Sequence, residues 1–176
     1  KDMRQFAIIG LGSFGLRTLE KLAEVTEEII IVDKDESMVE RYKDQAQAAY
    51  VADVVDEQAL LRVIPEDVDA VIVDVGGSIE DSILITNNLK KLGVKTIIVK
   101  TDSDQRGEIL KLVGATRVVY PDREAALQIV PMLVSPTLFS YMPISESLAM
   151  AEVKVMHEYI GRSLIEMNLR QSRGIN

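Results

Sequence analysis

The chain has 176 residues, 47% hydrophobic and 27% charged, enough apolar material for one ordinary domain and the beginning of a second. Its formal net charge is −8, with no cluster of Lys and Arg, which argues against nucleic acid as a partner. The absence of cysteine excludes disulfides and thiolate metal sites. No apolar stretch approaches the roughly 20 residues of a membrane span, and no signal-peptide pattern opens the chain. We therefore expect a soluble, cytoplasmic protein.

Short apolar runs alternate with helical stretches along most of the chain. The runs are too short for helices and lack a polar face, which is typical of parallel strands buried on both sides. The intervening segments, such as residues 16–25 and 78–92, carry apolar residues at helical spacing, as crossover helices do. This alternation predicts a Rossmann-like, doubly wound α/β sheet of six parallel strands. The predicted strands are residues 6–9, 29–32, 48–52, 70–73, 96–99 and 117–120.

The alternation stops in a helical stretch at residues 122–134, which contains Pro131. A proline inside a helix removes a hydrogen bond, so we expect a bend or a boundary there. The segment "LAMAEVKVMHEY" then alternates in part, which predicts an antiparallel or edge strand carrying His157, the sole histidine, without a catalytic role. The expected organisation is a Rossmann-like domain at 1–135, a linker at 136–146 and the incomplete start of a second small domain at 147–176.

The stretch "FAIIGLGSFG" places Gly10, Gly12 and Gly15 in a G-x-G-x-x-G pattern between a predicted strand and a predicted helix. In this pattern the first glycine permits a tight turn, the second lets the backbone approach a pyrophosphate, and the third lets the helix pack on the strand. The helix that begins near Phe14 would direct its unpaired N–H groups at phosphates. A plain tight turn between strand and helix is the alternative.

The second predicted strand ends in an acid, in "IIIVDKDE", about 20 residues beyond the glycines. We expect Asp33 to accept hydrogen bonds from both hydroxyls of an adenosine ribose and to repel a 2′-phosphate, which favours NAD-type ligands over NADP. Lys34 beside it would soften that preference. The alternative for Asp33 is a loop acid or a helix cap.

Further strand ends converge on the same edge of the predicted sheet. Asp53 follows the third strand and would meet the adenine or its ribose, or else cap the next helix in competition with Asp56. Gly76 and Gly77 follow the fourth strand at the topological switch point, where a plain turn also explains them. Lys100 closes the fifth strand and would reach an anionic ligand, or else be solvated.

Motifs for catalysis are missing from the sequence. It contains no G-x-S-x-G elbow, no P-loop lysine and no metal-spaced histidine set. We therefore expect a site that binds without reacting, with no catalytic residue and no metal. The alternatives are a small NAD-dependent oxidoreductase without its substrate domain and a redox-sensing NAD(H)-binding module.

Six segments of the chain together form a recognisable set. They are "FAIIGLGSFG", "IIIVDKDE", "YVADVVDEQAL", "DAVIVDVGGSIEDS", "TIIVKTDSD" and "VGATRVVYPDREAA". Together they resemble the RCK (KTN) domain of Trk/Ktr-type potassium uptake systems and some potassium channels. The resemblance implies a domain that binds NAD(H), ATP or ADP, dimerises, and assembles into rings that open or close a membrane potassium pore. It also implies a cytoplasmic position at the inner face of the membrane, held through a potassium-translocating partner subunit.

The family's binding residues carry over onto matching positions, and the carboxy-terminal segment is similar to the start of the family's second domain. One departure is Ser13, where many Ktr-type members have arginine, which leaves ATP discrimination open. Asp122 stands where relatives often have glutamate near a subunit interface, and a cation role there is left open. The nucleotide-binding residues expected are Gly10, Gly12, Ser13, Phe14, Gly15, Asp33, Lys34, Asp53, Val54, Gly76, Gly77 and Lys100.

The expected mechanism is regulation by differential binding, in which a ligand shifts a conformational equilibrium. The predicted moving element is the bend between Pro131 and Pro143. Its apolar residues suit a partner surface, a second domain or packing within the chain. They are Leu138, Phe139, Tyr141 and Met142.

Overall fold

Strands form at all six predicted positions and pair in parallel in one sheet. The computed structural model describes residues 4–145 and 147–174. The strands are β1 (Phe6–Ile9), β2 (Ile29–Asp33), β3 (Ala48–Val51), β4 (Ala70–Val73), β5 (Thr96–Lys100) and β6 (Arg117–Val119). Their order across the sheet is β3-β2-β1-β4-β5-β6, so the chain crosses from one half to the other between β3 and β4. The predicted doubly wound α/β fold is confirmed.

Helices connect successive strands of this sheet. They are α1 (Ser13–Ala23), α2 (Glu36–Tyr42), α3 (Glu57–Val63), α4 (Ile79–Leu92) and α5 (Asp104–Val113), with a 3-10 turn at Lys43–Gln45. Capping residues at both ends of α4 fix where this helix begins and stops. Ser78 accepts a hydrogen bond from the N–H of Asp81, and Gly93 adopts the left-handed conformation that ends a helix, with φ +91°.

The core covers both faces of the sheet, because successive side chains of a strand point to opposite faces. In β1, Ala7 and Ile9 pack in one apolar cluster and Ile8 packs in the other. The edge strand β3 has a neighbour on one side only, and its Tyr50 and Val51 are exposed. This two-sided burial explains why the central strands read as unbroken apolar runs.

A second compact unit begins at Asp122, after a first unit that ends at Pro121. Its elements are α6 (Pro121–Val134), β7 (Leu138–Ser145), β8 (Leu148–Val153), a 3-10 turn at His157–Tyr159, α7 (Leu164–Met167) and α8 (Leu169–Arg173). The strands β7 and β8 form an antiparallel hairpin. An antiparallel strand in this region was expected from the sequence.

The structure of this second unit bears on three local expectations. Helix α6 continues through Pro131 to Val134, and its last turn is closed by the N–H of Ser135 donating to the carbonyl of Pro131 at 3.0 Å. Strand β7 occupies most of the predicted linker 136–146 and tolerates Pro143, because each strand of a two-stranded sheet is an edge. His157 lies in the 3-10 turn beyond β8, not in the strand. The role of 147–176 as the start of a further domain stays a prediction.

Within residues 4–145 and 147–174, no helix combines the length and the apolar character that crossing a bilayer requires.

Candidate functional site

The three central strands end in register at one edge of the sheet. Ile9, the last residue of β1, lies opposite Val32 of β2 and Val73 of β4. The residues that follow these strands therefore come together, and a cavity of about 260 Å³ lies among them. Its lining includes Gly10, Leu11, Gly12, Asp33, Lys34, Asp35, Met38, Ala52, Asp53, Val54, Val55, Asp74, Val75, Gly76, Asp81 and Ile85.

The loop from β1 to α1 needs glycine at two positions for backbone reasons. Gly10 has φ +88°, a conformation that favours glycine, and an added Cβ would overlap the carbonyl oxygen of Asp74. An added Cβ at Gly15 would overlap the carbonyl oxygen of Gly10. The tight turn and the close approach of helix to strand thus require these glycines whether or not a ligand binds.

Asp33, at the end of β2, lies half-buried on the wall of the cavity. Its Oδ2 accepts a hydrogen bond from the N–H of Leu11 at 2.6 Å, and its Oδ1 accepts one from the N–H of Asp35 at 2.9 Å. A carboxylate has about four acceptor positions, so two N–H partners leave capacity for ligand hydroxyls. The geometry fits the predicted ribose contact, which stays a prediction.

The neighbouring Asp35 also lines the cavity, but it has a local role. It is the N-cap of α2, and its carboxylate accepts hydrogen bonds from the hydroxyl and the N–H of Ser37. These bonds, the hydroxyl first, lower the pKa of Asp35 below its ordinary value. Lys34, between the two acids, is exposed on the cavity wall.

The competition between Asp53 and Asp56 for the start of α3 is settled in favour of Asp56. Its carboxylate accepts hydrogen bonds from the N–H groups of Gln58 and Ala59. The alternative explanation of Asp53 as that helix cap is therefore wrong. Asp53 is exposed on the cavity wall, and its carboxylate accepts a local hydrogen bond from the N–H of Val55 at 3.2 Å. Both Asp53 and the adjacent buried Val54 line the cavity, and their contact with an adenosine stays a prediction.

Asp74 is a residue that the sequence analysis missed. It follows β4 and is only 4% exposed. Its Oδ2 accepts hydrogen bonds from the N–H groups of Phe14 at 3.0 Å and Gly15 at 2.8 Å, in the first turn of α1. Its Oδ1 lies 3.5 Å from Nζ of Lys100. The amides and the lysine that were expected near phosphates are therefore partners of a carboxylate of the chain itself.

The same carboxylate explains Gly12. An added Cβ at this position would lie 2.5 Å from Oδ2 of Asp74, too close for any ordinary contact. The sequence pattern indicates close approach of the backbone to a pyrophosphate, and the close approach present in the structure is to Asp74. The signal that could have revealed this residue is an acid directly after a buried strand, "AVIVDVGG", beside β1 at the switch point.

Several predicted residues lie off the cavity wall. Gly76 lines the cavity, whereas Gly77 has φ +112° and does not. The first turn of α1 is likewise absent from the lining of this cavity in the part of the chain that the structure describes. The predicted residues away from the wall are Ser13, Phe14, Gly15, Gly77 and Lys100.

The charge of the cavity wall is strongly negative. Among the described lining residues Lys34 is the sole base, and it faces several acids. Acidic walls repel phosphates and leave hydroxyl and apolar contacts as the favourable ones. The lining acids are Asp33, Asp35, Asp53, Asp74 and Asp81. No group of three or more side chains suited to a metal ion occurs within residues 4–145 and 147–174.

The sheet order and the glycine-rich turn after β1 define a Rossmann-like α/β domain. The model of the TrkA-N domain matches residues 6–121, which contain the whole six-stranded sheet. The chain belongs to the TrkA-N domain family, and the resemblance drawn from its segments is confirmed.

One relative is similar to the chain in sequence, and two solved structures are similar to it in fold. The chain is 36% identical over 173 residues to the Ktr system potassium uptake protein C of Bacillus subtilis, covering 98% of this chain and 78% of the relative. The structure "GsuK channel bound to NAD" is similar with a TM-score of 0.68 and 20% identity, over 99% of this chain and 32% of the other. A structure of GsuK bound to ADP gives a TM-score of 0.56 and 23% identity, over 69% and 32%.

Proposed function

We propose that this chain is a nucleotide-binding regulatory component of a potassium uptake system. An adenosine nucleotide binds at the edge formed by β1, β2 and β4 and changes the conformation of an oligomer that controls a potassium-translocating membrane subunit. The observation that carries the proposal is the cavity at the end of β1, with the Asp33 carboxylate on its wall, in a TrkA-N family chain.

The adenosine half of the ligand is the part that the cavity suits best. Asp33 keeps acceptor capacity for two ribose hydroxyls, and Asp53 is exposed beside it. Apolar side chains of Met38, Val54 and Val55 line the same cavity and suit an adenine ring. A 2′-phosphate would meet the negative charge of Asp33, so NADP is disfavoured. NAD(H), ATP and ADP remain candidates, in line with the NAD and ADP named in the two GsuK structures.

Self-association is the second part of the proposal. The second unit leaves large apolar side chains exposed, among them Leu133 at 76% and Phe139 at 60%. Apolar surface of this kind favours contact with another protein. We propose that it supports a homodimer that assembles into a larger ring. The predicted cation role of Asp122 belongs with that assembly and stays a prediction.

The membrane partner follows from the relative named above. That relative is named for potassium uptake, which requires a path across the membrane. We propose that a separate membrane subunit provides this path and that the chain lies on its cytoplasmic face. The relative's name describes transport and not an enzyme, so the oxidoreductase alternative is not favoured.

Regulation then requires that the nucleotide bind two conformations of the oligomer with different affinity. Coupling between sites in allosteric proteins typically amounts to about 1–3 kcal/mol. A ligand with equal affinity for both conformations would shift nothing, however tightly it bound.

Calorimetry tests the binding site directly. We expect NAD, NADH, ATP or ADP to bind the wild-type chain, and Asp33→Ala to weaken that binding at least about tenfold, since it removes charged acceptors of the ribose hydroxyls. The matched control is Asp67→Ala, which removes an exposed aspartate that precedes β4, at the opposite end of that strand. Equal affinity of the wild type and Asp33→Ala for every ligand would reject the proposed site.

A further inference from the structure

The amino-terminal end of α1 is the place where Rossmann-like domains bind a phosphate. In this chain a carboxylate already lies there. Oδ2 of Asp74 accepts the N–H groups of Phe14 and Gly15, and it lies within 2.5 Å of where a Cβ at Gly12 would be. Two amides of the first turn of α1 are therefore already bonded to a buried carboxylate of the chain itself.

The ammonium group of Lys100 is paired with the same carboxylate. Nζ of Lys100 lies 3.5 Å from Oδ1 of Asp74, and the lysine side chain is 35% exposed. The end of a helix contributes about half an elementary positive charge, so the carboxylate offsets about two thirds of the positive charge that the lysine and the helix end supply together. A phosphate that approaches α1 must displace Asp74 from the amides or accept its negative charge at close range. Either alternative weakens binding in proportion to the phosphate charge.

We infer that Asp74 is a specificity-determining residue that discriminates against phosphate charge. This inference rests on the proposed function and adds to it the chemical class of ligand that the site prefers. Ligands are held by their adenosine part on the Asp33 side, and each additional phosphate charge costs affinity on the Asp74 side. A dinucleotide such as NAD, with its phosphates internal and few charges, is therefore favoured over ATP.

The test is a calorimetric series in which the adenosine part is constant and the phosphate charge increases. The ligands are adenosine, AMP, ADP, ATP and NAD, and the proteins are the wild type, Asp74→Asn and Asp74→Ala. We expect the affinity for adenosine to stay within about twofold, and the gain from either substitution to increase from AMP to ATP, reaching about ten- to hundredfold.

The matched control is Asp81→Asn, which removes an acid from the same cavity wall. The Asp81 carboxylate is bonded to the Ser78 hydroxyl and has no bond to the α1 amides in the described structure. It should give a much smaller gain for ATP than Asp74→Asn. If Asp74→Ala does not fold, Asp74→Asn keeps the test, because an amide of the same size retains an oxygen that accepts from the α1 amides.

Three outcomes overturn the inference while leaving the nucleotide site intact. They are an unchanged or weaker affinity of Asp74→Asn for ATP, an equal gain for adenosine and ATP, and an equal gain from Asp81→Asn. Failure of the proposed function looks different, since none of the proteins, including Asp74→Asn, then binds any of the five ligands.

Discussion

Asp33 and Asp74 are the same residue type at equivalent places, one at the end of β2 and one just after β4, on either side of β1. Both accept N–H groups from the turn and helix that follow β1. Asp33 is half-buried on the cavity wall, whereas Asp74 is buried and paired with Lys100. The comparison teaches that partners decide the role of a carboxylate. On our proposal, the first meets a ligand, and the second fills a position that a ligand phosphate would otherwise take.

The largest expected effect is a loss of stability from a substitution in the turn between β1 and α1. Gly10→Ala forces a Cβ against the backbone of Asp74 at a residue with φ +88°, so we expect a loss of about 3 kcal/mol in the free energy of unfolding. Urea denaturation measures it. At Gly76 an added Cβ meets nothing within 4 Å, so Gly76→Ala should cost less than about 1 kcal/mol. Similar losses at both positions would show that the close approach of the turn to β4 is not what requires glycine.

The next largest effect on stability is expected from the close contact between Gly12 and Asp74. Gly12→Ala places a Cβ 2.5 Å from Oδ2 of Asp74 and should cost about 2 kcal/mol in unfolding free energy. In an Asp74→Ala background that contact is gone, so the cost of Gly12→Ala should fall by about 1 kcal/mol or more. A double-mutant cycle by urea denaturation measures this coupling. Additive effects would mean that Gly12 is required for a reason other than Asp74.

A smaller effect is expected from the cation of the Asp74 pair. Lys100→Met leaves the buried carboxylate without its cation and should lower the free energy of unfolding by about 1 kcal/mol, since the lysine is partly exposed and solvent screens the pair. Thermal or urea denaturation measures the change. The control Lys95→Met alters an exposed lysine just before β5 and should have almost no effect. Equal losses from the two variants would argue against a specific pair.

The smallest expected effect is a change in the pKa of Asp35, which follows β2 close to Asp33. The hydroxyl and N–H of Ser37 lower the pKa of Asp35, so Ser37→Ala should move that pKa back toward its ordinary value. A lowered pKa in the folded chain means that Asp35 contributes stability above its unfolded pKa and loses it as the pH falls through its folded pKa. An NMR titration of the Asp35 carboxyl carbon measures the shift. No change in Ser37→Ala would show that the hydroxyl does not set this pKa.

The central fold could be predicted because its signals are local. Strands such as β1 and β4 are buried on both faces, and strands buried in this way have continuous apolar sequences. The helical segment predicted at residues 78–92 matches α4 for the same reason, since the caps Ser78 and Gly93 act within a few residues. Pro131 shows the limit of a local rule, because the last turn of α6 forms despite the missing donor.

The candidate site was predicted on one side only. Asp33 lies about 20 residues beyond the glycines, a spacing with a known physical use. Asp74 meets Gly15 across 59 positions of sequence, and no local pattern reports that contact. Both Asp53 and Asp56 are aspartates, a residue type that commonly caps the start of a helix. The start of α3 at Glu57 decided between them, and sequence patterns locate helix starts only to within a few residues.

The two hydrogen bonds to Asp74 anchor the first turn of α1 with the chain's own atoms. The orientation of that helix therefore does not depend on a bound guest.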